Sequence, residues 1–276
     1  MKSKKRTVVL ALIAVMLAGS FAGCGKEKVT AESLLAGAYG RDNVESMDAD
    51  LVMNVDADID ISDLFSDSAD QSTETENSET TMNFKVALDC NIKATEKIAY
   101  ANGNATVDVL GMSQKVPVKS YVDSDNKVSY TYNEDYDLWT KSDLDSDESL
   151  GSFAEGKIDK DIFTDLKLAD TKEEDSEYVV TGKVTMDNLK KLYGDSFNDL
   201  SENTEDIDLS TLKFDVTMKF DKKSKMMKSF ECKVDPTTLD AEEYTINEFS
   251  AEVKINKIND VDVKIPSEVV KEAIEE

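Results

Sequence analysis

Residues 47–61 alternate between apolar and polar side chains almost without a break. Met47, Ala49, Leu51, Met53, Val55, Ala57, Ile59 and Ile61 share one parity. Asp48, Asp50, Asn54, Asp56, Asp58 and Asp60 share the other, with Val52 the sole intruder. A helix would repeat every 3.6 residues. A repeat of two turns successive side chains to opposite faces and specifies a long strand with one dry and one wet side. The pattern returns in Met82, Phe84, Val86, Leu88, Cys90 and Ile92, in Leu212, Phe214, Val216, Met218 and Phe220, and in Phe230, Cys232 and Val234. A chain built this way folds around a broad sheet. The parity flips between Ile246 and Phe249, which predicts a bulge near Asn247–Glu248.

Helical stretches are fewer. Residues 30–39 read as a short helix capped by Thr30, and 144–154 and 159–166 as two more. The stretch after Thr185 reads as a longer helix with that threonine as its cap, and a last helix starts at Pro266 or Ser267. Residues 62–80 hold Ser, Thr, Asp and Glu with no base and read as a flexible, solvated acidic loop. The expected architecture is one α+β domain over residues 30–276. It comprises a large curved antiparallel sheet, a half-barrel, with helices packed against one face.

The first residues have a different character. Lys2, Lys4, Lys5 and Arg6 precede an unbroken apolar run from Val8 to Ala18, and small residues follow. This is the pattern of an export signal over residues 1–23, too short for a bilayer span of about 20 apolar residues. Phe21-Ala22-Gly23-Cys24 resembles the lipobox of bacterial lipoproteins, although that motif usually has leucine where Phe21 stands. The resemblance implies cleavage before Cys24, lipidation of its thiol, and a short tether over residues 24–29. The expected partner is a membrane reached through that lipid anchor. The expected location is the extracytoplasmic face of the cell membrane.

Charge narrows the function. The net charge is −26, and removal of the four bases in residues 1–23 leaves 28 bases against 58 acids, or −30. Such a surface repels nucleic-acid phosphates, so no nucleic-acid partner is expected. The chain has no histidine. That excludes Ser-His-Asp and Cys-His catalysis and every metal site that needs imidazole. No Gly-rich phosphate loop, metal-spaced cysteine set or Ser-x-x-Lys motif is present, so neither an enzyme nor a cofactor is expected.

The remaining polar and aromatic candidates each have a plainer reading. Asp56, Asp58 and Asp60 match positions 1, 3 and 5 of an EF-hand loop. Ile61 stands where its glycine belongs and Asp67 where its bidentate glutamate belongs. On a strand the three carboxylates lie about 6.5–7 Å apart, too far to clasp one ion unaided. They read as the wet side of a strand. Asp143, Asp145, Asp147 and Glu148 read as a loop or helix start, or else as a loose divalent site. Tyr130, Tyr132, Tyr136 and Trp139 read as hairpin packing, with a sugar-stacking platform as the alternative. Cys90 and Cys232 fall on apolar parities, where both a disulfide and two buried thiols fit.

The apolar parity carries the candidate ligand surface. Met53, Val55, Phe84, Val86, Leu88, Phe214, Val216, Met218 and Phe220 need cover, and short helices that cover them incompletely would leave a cavity. The lipobox, the N-terminal helix, the long meandering strands and the closing "VKIPSEVV" together resemble the LolA/LppX-like lipoprotein superfamily. They resemble more closely the acidic lipoproteins of clostridia-type Gram-positive bacteria with that half-barrel. "YTYNEDYDLWTK", with Trp139 and Lys141, resembles their strand–turn–strand. The resemblance implies an unclosed barrel with a hollow for acyl chains or other lipidic molecules and implies no catalytic residues. Two readings remain open: a carrier of an apolar ligand, and an envelope interaction module whose core is filled.

Overall fold

The computed structural model describes residues 29–38, 45–60, 81–144, 162–170, 175–185, 188, 212–235 and 244–275. The expected export signal, Cys24 and the acidic loop lie outside these residues, as does the helix expected over 144–154 apart from Leu144.

One sheet dominates. Its strands are β1 Ser46–Asp60, β2 Thr81–Thr95, β3 Ile98–Val109, β4 Met112–Asp123, β5 Val128–Asn133, β6 Leu138–Asp143, β7 Phe163–Leu168, β8 Glu177–Thr185, β9 Lys213–Asp221, β10 Met227–Val234, β11 Tyr244–Ile258 and β12 Ile274–Glu275. Their order across the sheet is β12-β6-β5-β4-β3-β2-β1-β11-β10-β9-β8-β7. Neighbours are antiparallel throughout, except that β12 lies parallel to β6. The sheet is open, with β7 and β12 at its edges. The long alternating runs form the strands that alternation demands, because each can bury one parity and wet the other.

Among the described residues the helices are α1 Ala31–Ala38 and α2 Ser267–Glu272. In α1, the Ser33 amide donates to Thr30 Oγ1 at 3.1 Å and the Thr30 amide donates to Ser33 Oγ at 2.9 Å. This reciprocal cap uses serine where glutamate is commoner. Thr185 Oγ1 accepts the amide of Asn188 at 3.3 Å, and the helix expected after Thr185 lies outside the described residues apart from Asn188. Of the helix expected over 159–166, residues 159–161 lie outside the described residues and 163–166 instead begin the edge strand β7, Phe163–Leu168. The six-residue run FTDLKL is too short for a helical period to be told from a strand, and pairing with β8 decides it.

The expected α+β architecture is overturned: the fold is mostly β, and the two short helices among the described residues do not share a face. Direct cross-strand partners lie on one face, so the sides of the sheet can be followed by register. Val118, Gly103, Cys90, Leu51, Val253, Phe230, Met218 and Val180 form one such row. Leu34 and Leu35 of α1 pack into the cluster that includes Met218, Val180, Phe214 and Phe220. Tyr100, Tyr121 and Tyr130 form a row on the opposite face, and Val269 of α2 packs there with Tyr121, Val128 and Tyr130. Val128, Ser129 and Tyr130 of β5 are all buried, so both parities of this strand are covered. The single dry side inferred from β1 and β2 therefore does not hold across β4–β6. Tyrosine on the second parity supplied enough apolar area to recruit a helix there.

The bulge expected near Asn247 is present, and a second matches it. Asp56 pairs with Glu248 and Ala57 with Ile246, leaving Asn247 as the extra residue. Asp48 pairs with Lys257 and Ala49 with Ile255, leaving Asn256. Each inserted asparagine lets β11 keep its dry side on the α1-bearing face, since one extra residue restores the parity.

Candidate functional site

Along the α1-bearing face the cross-strand rows run from sealed to open. The row Ala101, Ile92 and Ala49 is buried, as are Cys90, Leu51 and Val253 in the next. In the third row Leu88 and Ala251 are buried while Met53 and Ala105 are half-buried. The two rows nearest the β3–β4 turn are half-buried throughout: Val107, Val86, Val55 and Phe249, then Val109, Phe84, Ala57 and Ile246. No charged side chain stands in either row. The result is an apolar surface, continuous with the core, that the described residues cover only in part. It is the candidate site.

The nine residues assigned to a cavity from sequence divide here. Met53, Val55, Phe84 and Val86 lie on the half-open rows. Leu88, Phe214, Val216, Met218 and Phe220 are at most 3% exposed and belong to the packed core. The β9 residues fill the space under α1 and cannot line an open surface. Their alternation resembles that of β2 because parity reports which side is dry, not what covers it. Val107, Val109, Ile246 and Phe249 were missed; their signal is the same parity in β3 and β11.

Cys90 and Cys232 are buried free thiols. β1 and β11 stand between their strands, a separation of about 14 Å at about 4.8 Å per strand, so no bridge forms. Burial pushes each thiol up to about 12, which removes thiolate reactivity at neutral pH.

The wet face of β1 proves to be ordered rather than merely solvated. Asn83 Nδ2 donates to Asp56 and Asp58 at 2.9 and 2.8 Å, and the bulged Asn247 donates to the same pair at 3.3 and 2.8 Å. Eight residues away the arrangement recurs. Asn91 donates to Asp48 and Asp50 at 2.8 and 2.9 Å, and the bulged Asn256 donates to them at 3.3 and 2.9 Å. Each Asp-Ala-Asp is thus held from β2 and from β11, and Lys85 adds an ion pair to Asp56 at 2.7 Å. Amide donors occupy the carboxylates, and no metal-holding group of three or more ligating side chains occurs among the described residues. Of the acidic group at 143–148, only Asp143 lies among the described residues, exposed at the end of β6.

These clasps have a pH signature. Asn256 and then Asn91 lower Asp50 from the ordinary 3.8. The Lys85 bond and then Asn83 lower Asp56, and Asn247 and then Asn83 lower Asp58. Their stabilisation is complete above about pH 4 and is lost as pH falls through the folded values, because the unfolded chain takes up protons first. Denaturant midpoints measured from about pH 6 to about pH 2 are expected to fall at the acid end. Asn83→Ala combined with Asn247→Ala is expected to lower the neutral plateau and flatten that fall.

The aromatic group serves packing. Tyr100 stacks on Tyr121 at 4.5 Å, and Trp139 lies 5.6 Å from Tyr121 and 5.5 Å from Tyr132. The Tyr132 and Trp139 rings are tilted by 58°, and the Lys119 ammonium stands 5.2 Å over both, so no flat platform is presented. Tyr136, at the β5–β6 turn, is exposed. No helix among the described residues is long and apolar enough to cross a membrane.

A family model described as "Family of unknown function (DUF6612)" matches residues 42–274. The chain belongs to DUF6612. The match in this DUF6612 chain runs from just before β1 to the start of β12 and includes both asparagine clasps and both half-open rows. No curated protein matches it. Among solved structures it is similar to the crystal structure of a beta-barrel-like protein of domain of unknown function DUF1849 from Brucella abortus. That likeness has 11% identity and a TM-score of 0.20 and covers 79% of this chain and 100% of that one. A likeness of that size decides neither fold nor function.

Proposed function

We propose that this DUF6612 chain is a non-catalytic extracytoplasmic lipoprotein, tethered through Cys24, that binds an acyl chain or similar apolar ligand on the two half-open rows. One observation carries the reading: charge-free rows containing Val55, Phe84, Val86, Val107, Val109 and Phe249 keep part of their surface exposed, while the same face is sealed toward β9. The exposed part of these valine and phenylalanine side chains gains about 25 cal/mol for each Å2 withdrawn from water, so an aliphatic chain laid across them is held without polar contacts. The absence of histidine and the engagement of the β1 carboxylates by amides support a binding role over chemistry. The rival reading, an interaction module with a filled core, draws support from the complete packing of Phe214, Val216, Met218 and Phe220 beneath α1.

Titration of the intact chain with cis-parinaric acid tests the proposal. Saturable fluorescence enhancement is expected, and Val86→Glu is expected to weaken it by about tenfold or more, since a carboxylate facing an acyl chain costs over about 1.4 kcal/mol. No saturable enhancement, or enhancement indifferent to Val86→Glu, favours the filled-core module.

A further inference from the structure

The half-open rows end at the two-residue β3–β4 turn, Leu110-Gly111. Both residues have positive φ, 54° for Leu110 and 74° for Gly111, as a type I′ turn requires. Such turns favour asparagine, aspartate or glycine at the first position, because a side chain branched beyond Cβ gains nothing there and the left-handed backbone is strained. This turn has leucine instead, 62% exposed, and the adjoining Met112 is 71% exposed. A Cβ placed on Gly111 would meet nothing within 4 Å, so that side of the apex is open. Solubility and turn geometry both oppose leucine at this position. An apolar contact outside the chain would account for it.

Continuity indicates which contact. Met112 pairs with Val109, Val109 with Phe84, and Phe84 with Ala57, so the apex leads directly onto the second half-buried row. A ligand with an acyl chain resides in a bilayer and leaves it most readily along an unbroken apolar path. We propose that the Leu110-Gly111-Met112 apex inserts into the hydrocarbon of a lipid bilayer and forms the mouth through which an acyl chain reaches the rows. This inference rests on the acyl-ligand reading. The bilayer should be electrically neutral at the contact, because a chain of charge −26 is repelled by anionic headgroups.

The chain has a single tryptophan, Trp139, on the opposite face, which makes a direct test available. The intact chain carrying Trp139→Phe and Met112→Trp is mixed with phosphatidylcholine vesicles brominated on their acyl chains. The apical indole is expected to lose at least about half its fluorescence, as contact quenching requires immersion, while Trp139 of the unaltered chain loses little. Leu110→Asn, added to the first variant, is expected to remove the quenching while raising the thermal midpoint, because it relieves the backbone. An apical indole quenched no more than Trp139 overturns the proposal, as does quenching that survives Leu110→Asn. Should Trp139→Phe disturb folding, Met112→Trp with Trp139 retained decides the same question: quenching by the brominated vesicles no greater than that of the unaltered chain overturns the insertion. Parinaric acid titration without vesicles reads the rows alone. Its failure with apical quenching intact removes the acyl site and leaves the membrane contact, and the converse removes the contact and leaves the site.

Discussion

Gly103→Ala is expected to destabilise the fold by about 3 kcal/mol, the upper range for overpacking. Gly103 sits in β3 directly opposite Cys90. A Cβ built there would lie 2.1 Å from the Asp89 carbonyl oxygen, 2.4 Å from Cys90 Cα and 2.5 Å from Cys90 Cβ. Two of these atoms are backbone, which no rotamer change can move aside. The position is also the middle of the sheet, where β2 is held by β1 on its other side, so β3 must move away and lose ladder bonds on one or both sides. Urea unfolding followed by far-ultraviolet circular dichroism measures the loss as a shift in midpoint at constant slope. Cys90→Ala is not expected to rescue it, because the conflict is with the main chain of β2 rather than with the thiol.

The second large effect separates core from candidate site. Phe220→Ala is expected to cost about 3–5 kcal/mol, the usual range for deleting a fully buried ring. Phe220 is 0% exposed in the cluster beneath α1 with Met218, Met227 and Val180. Phe84→Ala, on the second half-buried row, is expected to cost only about 1 kcal/mol, in proportion to the area that folding removes from water. On parinaric acid the order reverses. Phe84→Ala is expected to weaken binding, while Phe220→Ala leaves affinity unchanged in whatever fraction remains folded. Both are measured on the same preparations by denaturant titration and ligand fluorescence. Equal destabilisation by the two variants would show that the outer rows are core and would remove the candidate site.

The two phenylalanines also show what was legible in advance. In both, a ring alternates with charged or polar residues on a strand, and the sequence assigns both to a dry side. That assignment is correct and local: side-chain direction follows from strand geometry alone. Whether the dry side is filled or half-open depends on what packs against it. For Phe220 that is the cluster that includes α1, to which Phe84 does not belong. Asn247 illustrates the same division. Its neighbourhood announced a bulge, because the parity flip is visible within four residues. Its clasp of Asp56 and Asp58, 191 and 189 residues away, depends on register across β1 and β11. The second bulge, at Asn256, escaped notice because the polar run around it obscures the parity change.

The tyrosines of β3–β5 mark the main failure. Tyr130 read as hairpin packing and Tyr100 and Tyr121 were assigned no role, yet the three build a second dry face that α2 covers. The expectation of helices on one face treated the sheet as uniform from edge to edge. A twelve-stranded sheet need not be, since each stretch of face is buried only by the element that reaches it.

From the order of its residues alone, this chain determined its long strands, the dry parity of β1, β2, β9 and β10, the cap of α1 and the bulge at Asn247. All follow from steric and solvation rules acting within a few residues. Tertiary structure alone decided the opposite placement of the two helices, the sealing of one part of the α1-bearing face against the half-opening of the other, and the separation of the two thiols. Those outcomes depend on which segments become neighbours across the sheet, and burial is a property of the neighbours rather than of the residue.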